Sequence, residues 1–274
     1  MQYELFSEKK FKLLSLASGS NGNCYFIGTS QYGILIDAGI GARTIKKYLR
    51  EYGIAMETIM GIMVTHDHAD HIKSVGTLAS KMHIPVYATE SVHYGIERSR
   101  YCERSLNGSR RIISKDSVFS IKDFEITAFE VPHDSIDNVG YQIKAGNQTV
   151  VLITDVGRIT EQITQYAKTA THLIIEANYD EDMLRCGRYP EILKRRISCG
   201  TGHLSNKITA NFLADIFDNK LKEIWLCHLS QDNNHPEIAY KTIEEKLTEK
   251  GICVGKDVLL KTLLRGKPTL LKEF

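Results

Sequence analysis

At 274 residues, with 42% hydrophobic and 25% charged side chains, the chain has the composition of an ordinary globular protein able to bury a sizeable core. No stretch approaches the roughly 20 apolar residues needed to cross a membrane, and Met1 to Lys10 alternates charge with single apolar residues where a signal peptide has an apolar block. A net charge of +2 neither demands nor excludes a polyanionic partner; six scattered cysteines without a CxxC pair argue against a disulfide framework and for reduced thiols in a cytoplasm.

In chain order, Phe11 to Ala17 and Cys24 to Gly28 read as strands flanking Ser18-Gly19-Ser20-Asn21-Gly22-Asn23, with Ile34 to Asp37 as a third strand. A phosphate-cradling loop leads into a helix and carries Lys-Ser/Thr, which this one lacks, so it reads as a hairpin turn that can also line a site. Gly41 to Tyr52 shows helical spacing of Ile45, Tyr48 and Leu49. Ile59 to Val64 is an unbroken apolar run suited to a strand buried on both faces, followed by a helix over Ile72 to Lys81 and a short strand over Ile84 to Ala88. Tyr94 to Lys115 interleaves Arg98, Arg100, Arg104, Arg110, Arg111 and Lys115 with Tyr94 and Tyr101, a composition that suits either a solvated loop or a nucleic-acid track.

The β pattern returns in Phe124 to Val131, Gly140 to Lys144, Thr149 to Thr154 and Leu173 to Ala177. A helix over Tyr189 to Ile197, led in by a proline, carries Lys194, Arg195 and Arg196. A second covers Lys207 to Phe217, with Ser205 or Asn206 able to cap it. Glu223 to Leu229 reads as a strand, Pro236 as a helix start, and Asp257 to Leu264 with Thr269 to Leu271 as a closing strand or hairpin. Two β-rich halves, each followed by helices, predict an α/β chain whose sheets pack face to face with helices outside.

Chemistry concentrates in Val64-Thr65-His66-Asp67-His68-Ala69-Asp70-His71, where three imidazoles and two carboxylates fall within six positions at a strand end. Neutral imidazole and carboxylate are ordinary ligands of zinc and related divalent ions. His66 and His68 can serve one ion while Asp70 and His71, at a helix start, serve a second. Further strand ends supply His133, Asp155 and His228, and Gly202-His203-Leu204-Ser205-Asn206 adds a histidine before a helix. His83, His93, His172 and His235 read as structural or surface histidines.

The order HxHxDH, His, Asp, His resembles the metallo-β-lactamase superfamily along almost the full length, which implies a four-layer αββα sandwich and a pair of divalent ions, zinc or manganese with iron also possible. The resemblance implies one ion on His66, His68 and His133, another on Asp70, His71 and His228, and Asp155 shared between them. Asp67, between ligands, is expected to orient an imidazole. The Gly-His-Leu-Ser-Asn and His-Leu-Ser stretches are similar to the phosphodiesterase branch that includes ribonuclease Z, which implies that His203 faces the scissile phosphate as a catalytic group. Longer stretches, Tyr189 to Ile197 and His228-Leu229-Ser230-Gln231-Asp232-Asn233-Asn234, resemble the WalJ (YycJ) family, for which 5′ to 3′ exodeoxyribonuclease activity is expected, with DNA as substrate.

Only about 22 residues separate His133 from Asp155 and about 73 separate Asp155 from His228, too few for a β-CASP insertion; residues 1–274 are therefore expected to form one domain. Arg195 and Arg196, close to the His203 loop, are candidate phosphate clamps, with Ser205 and Asn206 as further substrate contacts. A small-molecule or cyclic phosphodiesterase shares every ligand and is the alternative. A thioester hydrolase similar to glyoxalase II is disfavoured by the His203 motif, and a non-catalytic signalling module by any open coordination position. His68 stands where oxygen-reducing di-iron relatives carry glutamate, which argues against redox chemistry.

Overall fold

The computed structural model describes residues 10–102 and 104–274; of the N-terminal stretch read above as free of a signal-peptide core, only Lys10 falls within them. Strands β1 (Lys12–Ala17), β2 (Cys24–Gly28), β3 (Gly33–Ile36), β4 (Ile59–Met63), β5 (Val86–Ala88) and β6 (Arg110–Ile112) lie side by side in one sheet. A second sheet holds β7 (Val118–Ile121), β8 (Phe124–Glu130), β9 (Val139–Ala145), β10 (Gln148–Ile153), β11 (His172–Glu176), β12 (Glu223–Cys227) and β13 (Leu259–Thr262) in the same way. The last strand, β14 (Lys272–Glu273), crosses back to pair antiparallel with β1. Each sheet starts antiparallel and turns parallel, at β3 and β4 in the first and at β10 and β11 in the second.

The strands are apolar without interruption because both of their faces are covered. Along β10, Val150 and Leu152 point between the sheets while Val151 and Ile153 point to the outer layer, and Ile34 and Ile36 against Leu35 do the same on β3. Helices α1 (Ala42–Glu51), α2 (Ala69–Ile72), α3 (Val75–Met82) and α4 (Glu90–Arg98) follow the first sheet's strands. The second sheet is followed by α5 (Glu161–Ala167), α6 (Glu181–Cys186), α7 (Glu191–Ser198), α8 (Asn206–Ile216) and α9 (Pro236–Glu249). Ile45, Leu49, Leu78 and Ile96 cover one outer face, and Ile163, Leu213 and Ile243 the other, which completes the expected αββα layering.

Three local expectations are corrected, and two helices are added. The helix expected over Ile72 to Lys81 is two, because Ser74 N donates to Ala38 O and Ser74 Oγ to Ile40 O, pinning the break onto the loop after β3. The closing hairpin does not form: β13 pairs parallel with β12, whereas β14 joins the opposite sheet. Part of the Tyr94 to Lys115 segment is helical, in α4, whose capping Thr89 accepts from Val92 N. Finally, α5 and α6 were not expected, although their caps Thr160 and Asp180 were legible signals.

His172 opens β11 at the end of the sheet remote from Glu176, with its ring stacked on Phe274 at 4.0 Å between centroids. Burial pushes its pKa down to about 4, reinforced by Lys272 and Lys261 and opposed by Glu223. A folded-state pKa below the unfolded value near 6.5 means that stability is complete above pH 6.5 and falls as pH drops toward 4, by up to about 3 kcal/mol. Urea unfolding at neutral pH and near pH 4.5 should therefore show a smaller acid loss in His172→Phe than in the wild type, by about 2 kcal/mol.

Candidate metal centre

The cleft lies where the carboxyl ends of β3, β4, β8, β10, β11 and β12 meet, and nearly every chemistry-bearing side chain sits within a few residues of a strand end. At three of them the backbone turns through left-handed geometry on a non-glycine residue: Asp37 (φ 59°), Asp155 (φ 51°) and His228 (φ 52°). Such conformations are uncommon outside glycine and cluster at functional sites. The metal-motif loop is docked by close backbone approach. Asn23 N donates to Asp70 O, and a Cβ on Gly39 would lie 1.6 Å from that same oxygen, so only glycine fits there.

Ligand atoms of His66, His68 and His133 lie within 4.8 Å of one another, as do those of Asp70, His71 and His228. Asp155 stands between the two groups. Its Oδ2 is 3.2 Å from His71 Nε2, and its Oδ1 is 3.8 Å from His133 Nε2 and 3.2 Å from His228 Nδ1. Nε2 of His66, His133 and His228 is buried and makes no well-formed hydrogen bond among the described residues, although Asp134 Oδ1 lies 3.3 Å from His133 Nε2 and Asp70 Oδ2 3.5 Å from His228 Nε2, an arrangement costly for a polar atom unless a cation takes up the lone pair. The donor set therefore fits divalent metal ions.

The opposite ring nitrogens explain the orientation. Asp37 Oδ2 accepts from His71 Nδ1 at 2.7 Å and from Thr65 Oγ1 at 2.9 Å, and Thr65 Oγ1 in turn lies 3.0 Å from His66 Nδ1. Glu176 Oε1 accepts from both His228 Nδ1 and His203 Nδ1 at 2.8 Å, while its Oε2 accepts from Val156 N and Leu204 N. His133 Nδ1 donates to Gly202 O at 3.0 Å. With each of these Nδ1 positions engaged, Nε2 is left to the cleft, the arrangement that tunes metal-ligating histidines.

Burial, assisted by His71, pushes His66 well below the usual imidazole range, and burial likewise lowers His133. Burial opposes charge on His71 and His228, but Asp155 with other carboxylates outweighs it, holding His71 well above that range and His228 up to about 10. Against its own burial, Asp155 is held well below the usual carboxylate range by His228 and His71.

The predicted contacts divide. His203 lines the cleft, and so does Arg196, whose Nε donates to Asp134 Oδ2 at 2.5 Å. Arg195 is not among the residues that line it: it lines a separate hollow with Tyr179, Glu181 and Lys194, because successive residues of a helix do not share a face. Ser205 and Asn206 do not line the cleft either. Both are buried, Ser205 capping α8 and bonding Glu181, Asn206 exchanging hydrogen bonds with Asn234. Asp67 orients no imidazole among the described residues; its Oδ1 is buried without a partner and the carboxylate packs on Gly95 of α4. The orienting carboxylates are Asp37 and Glu176, which sequence reasoning missed. Each closes a buried apolar strand, the same signal that marked His66 and His228.

Residues 32–224 match the beta-lactamase superfamily domain. Zn(2+)-bound PqqB from Methylobacterium extorquens shares the fold with a TM-score of 0.69 at 17% identity, over 94% of this chain and 99% of that one. The chain belongs to the beta-lactamase superfamily, whose fold implies divalent metal ions. Within it, exodeoxyribonuclease YycJ of Bacillus anthracis is 36% identical over 241 residues, 88% of this chain and 90% of that protein. Exodeoxyribonuclease WalJ of Streptococcus pneumoniae is 35% identical over 251 residues, 92% and 93% of the two chains.

Replacing Asp37 by Asn removes the charge that holds His71 and, through Thr65, His66. Zinc affinity measured by chelator competition should fall about 10- to 100-fold while all direct ligands remain.

Proposed function

We propose that the chain is a metal-dependent nuclease of exodeoxyribonuclease type, holding one divalent ion on His66, His68 and His133 and a second on Asp70, His71 and His228, with Asp155 shared. The convergence of these two groups on Asp155, with three buried Nε2 atoms aimed inward, is the observation that carries the reading. The names of the YycJ and WalJ relatives support DNA as the substrate. Zinc or manganese suits this nitrogen and oxygen ligand set, and iron is compatible with it. When bound, two such ions lower the pKa of water toward neutrality and offset charge on the attacking and leaving oxygens.

The chain's own groups do the rest. His203, held through Nδ1 by Glu176, presents Nε2 to the cleft, where it donates a proton to the leaving oxygen. Arg196 stands at the mouth, steadied by Asp134, as a clamp for a phosphate of the strand. Ser20, on the loop between β1 and β2, lines the same cleft, and Asn23 of that loop lies 3.0 Å from His71 Nε2. We take residues 1–274 as one domain in which the motif spacing leaves no room for a β-CASP insertion. No described helix is long and apolar enough to cross a membrane.

The test is hydrolysis of 5′-phosphorylated single-stranded DNA, matched RNA and a short phosphodiester by metal-loaded protein. Progressive shortening of DNA that vanishes in Asp70→Ala is expected; turnover of the short diester alone would instead make the chain a small-molecule phosphodiesterase. His203→Ala should lower kcat by about 100- to 10,000-fold with both metals retained by elemental analysis. Loss of metal in that variant would reassign His203 to the ligand shell.

A further inference from the structure

We propose that the outer face of α4 and the turn that follows it form the surface along which a single-stranded DNA substrate runs from the metal cleft, an inference that rests on the nuclease reading above. β5 is the parallel neighbour of β4, so α4, which follows β5, starts at the same end of the sheet as the His66 to His71 loop. The helix lies directly on that loop: a Cβ on Gly95 would meet Asp67 Oδ2 at 2.5 Å. Its inner face, Val92, His93 and Ile96, is buried, and its outer face is left to solvent.

That outer face carries large aromatics. Tyr94 is 54% exposed and Tyr101 47%. Arg98 lies over the Tyr94 ring at 5.2 Å and Arg100 over the Tyr101 ring at 5.0 Å, with Arg100 Nη2 also donating to the Tyr101 hydroxyl. The structure separates the cations of this segment into two sets. Arg110 is neutralised by Glu97 at 3.1 Å, Lys115 by Asp137 at 2.6 Å, and Arg111 is turned onto the carbonyls of Gly108 and Arg110. Arg98, Arg100 and Arg104 pair with no carboxylate among the described residues, and these are the arginines on or just beyond α4.

Planar Arg-over-Tyr pairs offer flat surfaces to bases, and guanidinium groups without a carboxylate partner among the described residues offer charge to phosphates. This combination favours a single strand over a duplex, because stacking needs free base faces, and it tolerates any sequence, as an exonuclease requires.

The experiment compares wild type, Tyr94→Ala/Tyr101→Ala, Tyr94→Phe/Tyr101→Phe and Arg98→Ala/Arg100→Ala, all metal-loaded. Fluorescence anisotropy reads affinity for 5′-phosphorylated phosphorothioate DNA of about 4 and about 16 nucleotides, for matched RNA and for duplex. The double alanine variant should bind the long strand about tenfold or more weakly, with the short strand and the turnover of a small diester unchanged, while the phenylalanine variant keeps wild-type affinity. The arginine variant should lower the slope of log affinity against log salt by about 0.7 for each charge removed. Unchanged long-strand affinity in the alanine variant overturns the proposal, as does duplex bound as tightly as single strand, or a loss confined to RNA. If the variants degrade DNA with unchanged KM, the track alone fails. If the wild type turns over the small diester but neither binds nor cuts DNA, the nuclease reading fails with it.

Discussion

Asp37, Asp155 and Glu176 are carboxylates at most 2% exposed, packed among histidines at one end of two sheets. Burying a charge at such a place is tolerable only where it is matched by opposite charge and hydrogen bonds. Each of the three is so matched: Asp37 by His71 and Thr65, Asp155 by His71, His228 and Thr154, and Glu176 by His203, His228 and two backbone amides. The constraint works in both directions. The carboxylates cannot be buried without the imidazoles, and the imidazoles cannot hold their Nε2 atoms toward the cleft without the carboxylates.

The sandwich is what brings them together. Parallel strands deliver their carboxyl ends to one edge, and each sheet turns parallel on the side that carries its ligands. The intersheet core of Tyr25, Ile36, Met63, Tyr141, Leu152 and Trp225 fixes the two edges against each other, so ligands from β4 and β12 meet although they are distant in sequence. Tyr141 Oη donates to Val64 O and Ser18 Oγ accepts from His228 N, tying one sheet's strand ends to the other's at the site itself.

Metal chemistry of this kind serves many substrates, so specificity belongs to the walls of the cleft. Those walls come from the loop between β1 and β2, from α7 with Arg196, and from the loop carrying His203. The short Gly200 to Gly202 segment approaches closely: a Cβ on Gly202 would lie 2.2 Å from Arg196 O and Ile197 O. That packing couples the end of α7 to His133 through Gly202 O, so Arg196 and His133 share a support.

The histidine and aspartate cluster and the layering were legible in the sequence for one reason: both are carried by patterns short enough to read locally. An unbroken apolar run identifies a strand buried on two faces, and a cluster such as His66 to His71 at its end identifies a ligand loop. Helix limits came out within a few residues wherever a cap or proline marked them, as at Ser205 and Pro236. What the sequence could not decide is which side of a helix or loop faces the cleft. Arg195 and Arg196 are neighbours of identical chemistry, and only the packing of α7 turns one toward Asp134 and the other away. Ser205 and Asn206 follow His203 directly, yet the capping of α8 and the amide exchange with Asn234 bury them. Asp37 and Glu176 lie far in sequence from the histidines they hold. Thus the sequence by itself determined the histidine and aspartate cluster at the strand ends and an α/β chain of two sheets packed face to face with helices outside, because both depend on residue type and period, while the division of that cluster between two ions came from the family resemblance. Which carboxylate orients which histidine, and what forms the walls of the cleft, were decided by tertiary structure, because a hydrogen bond between strand ends 34 or 52 residues apart leaves no local trace.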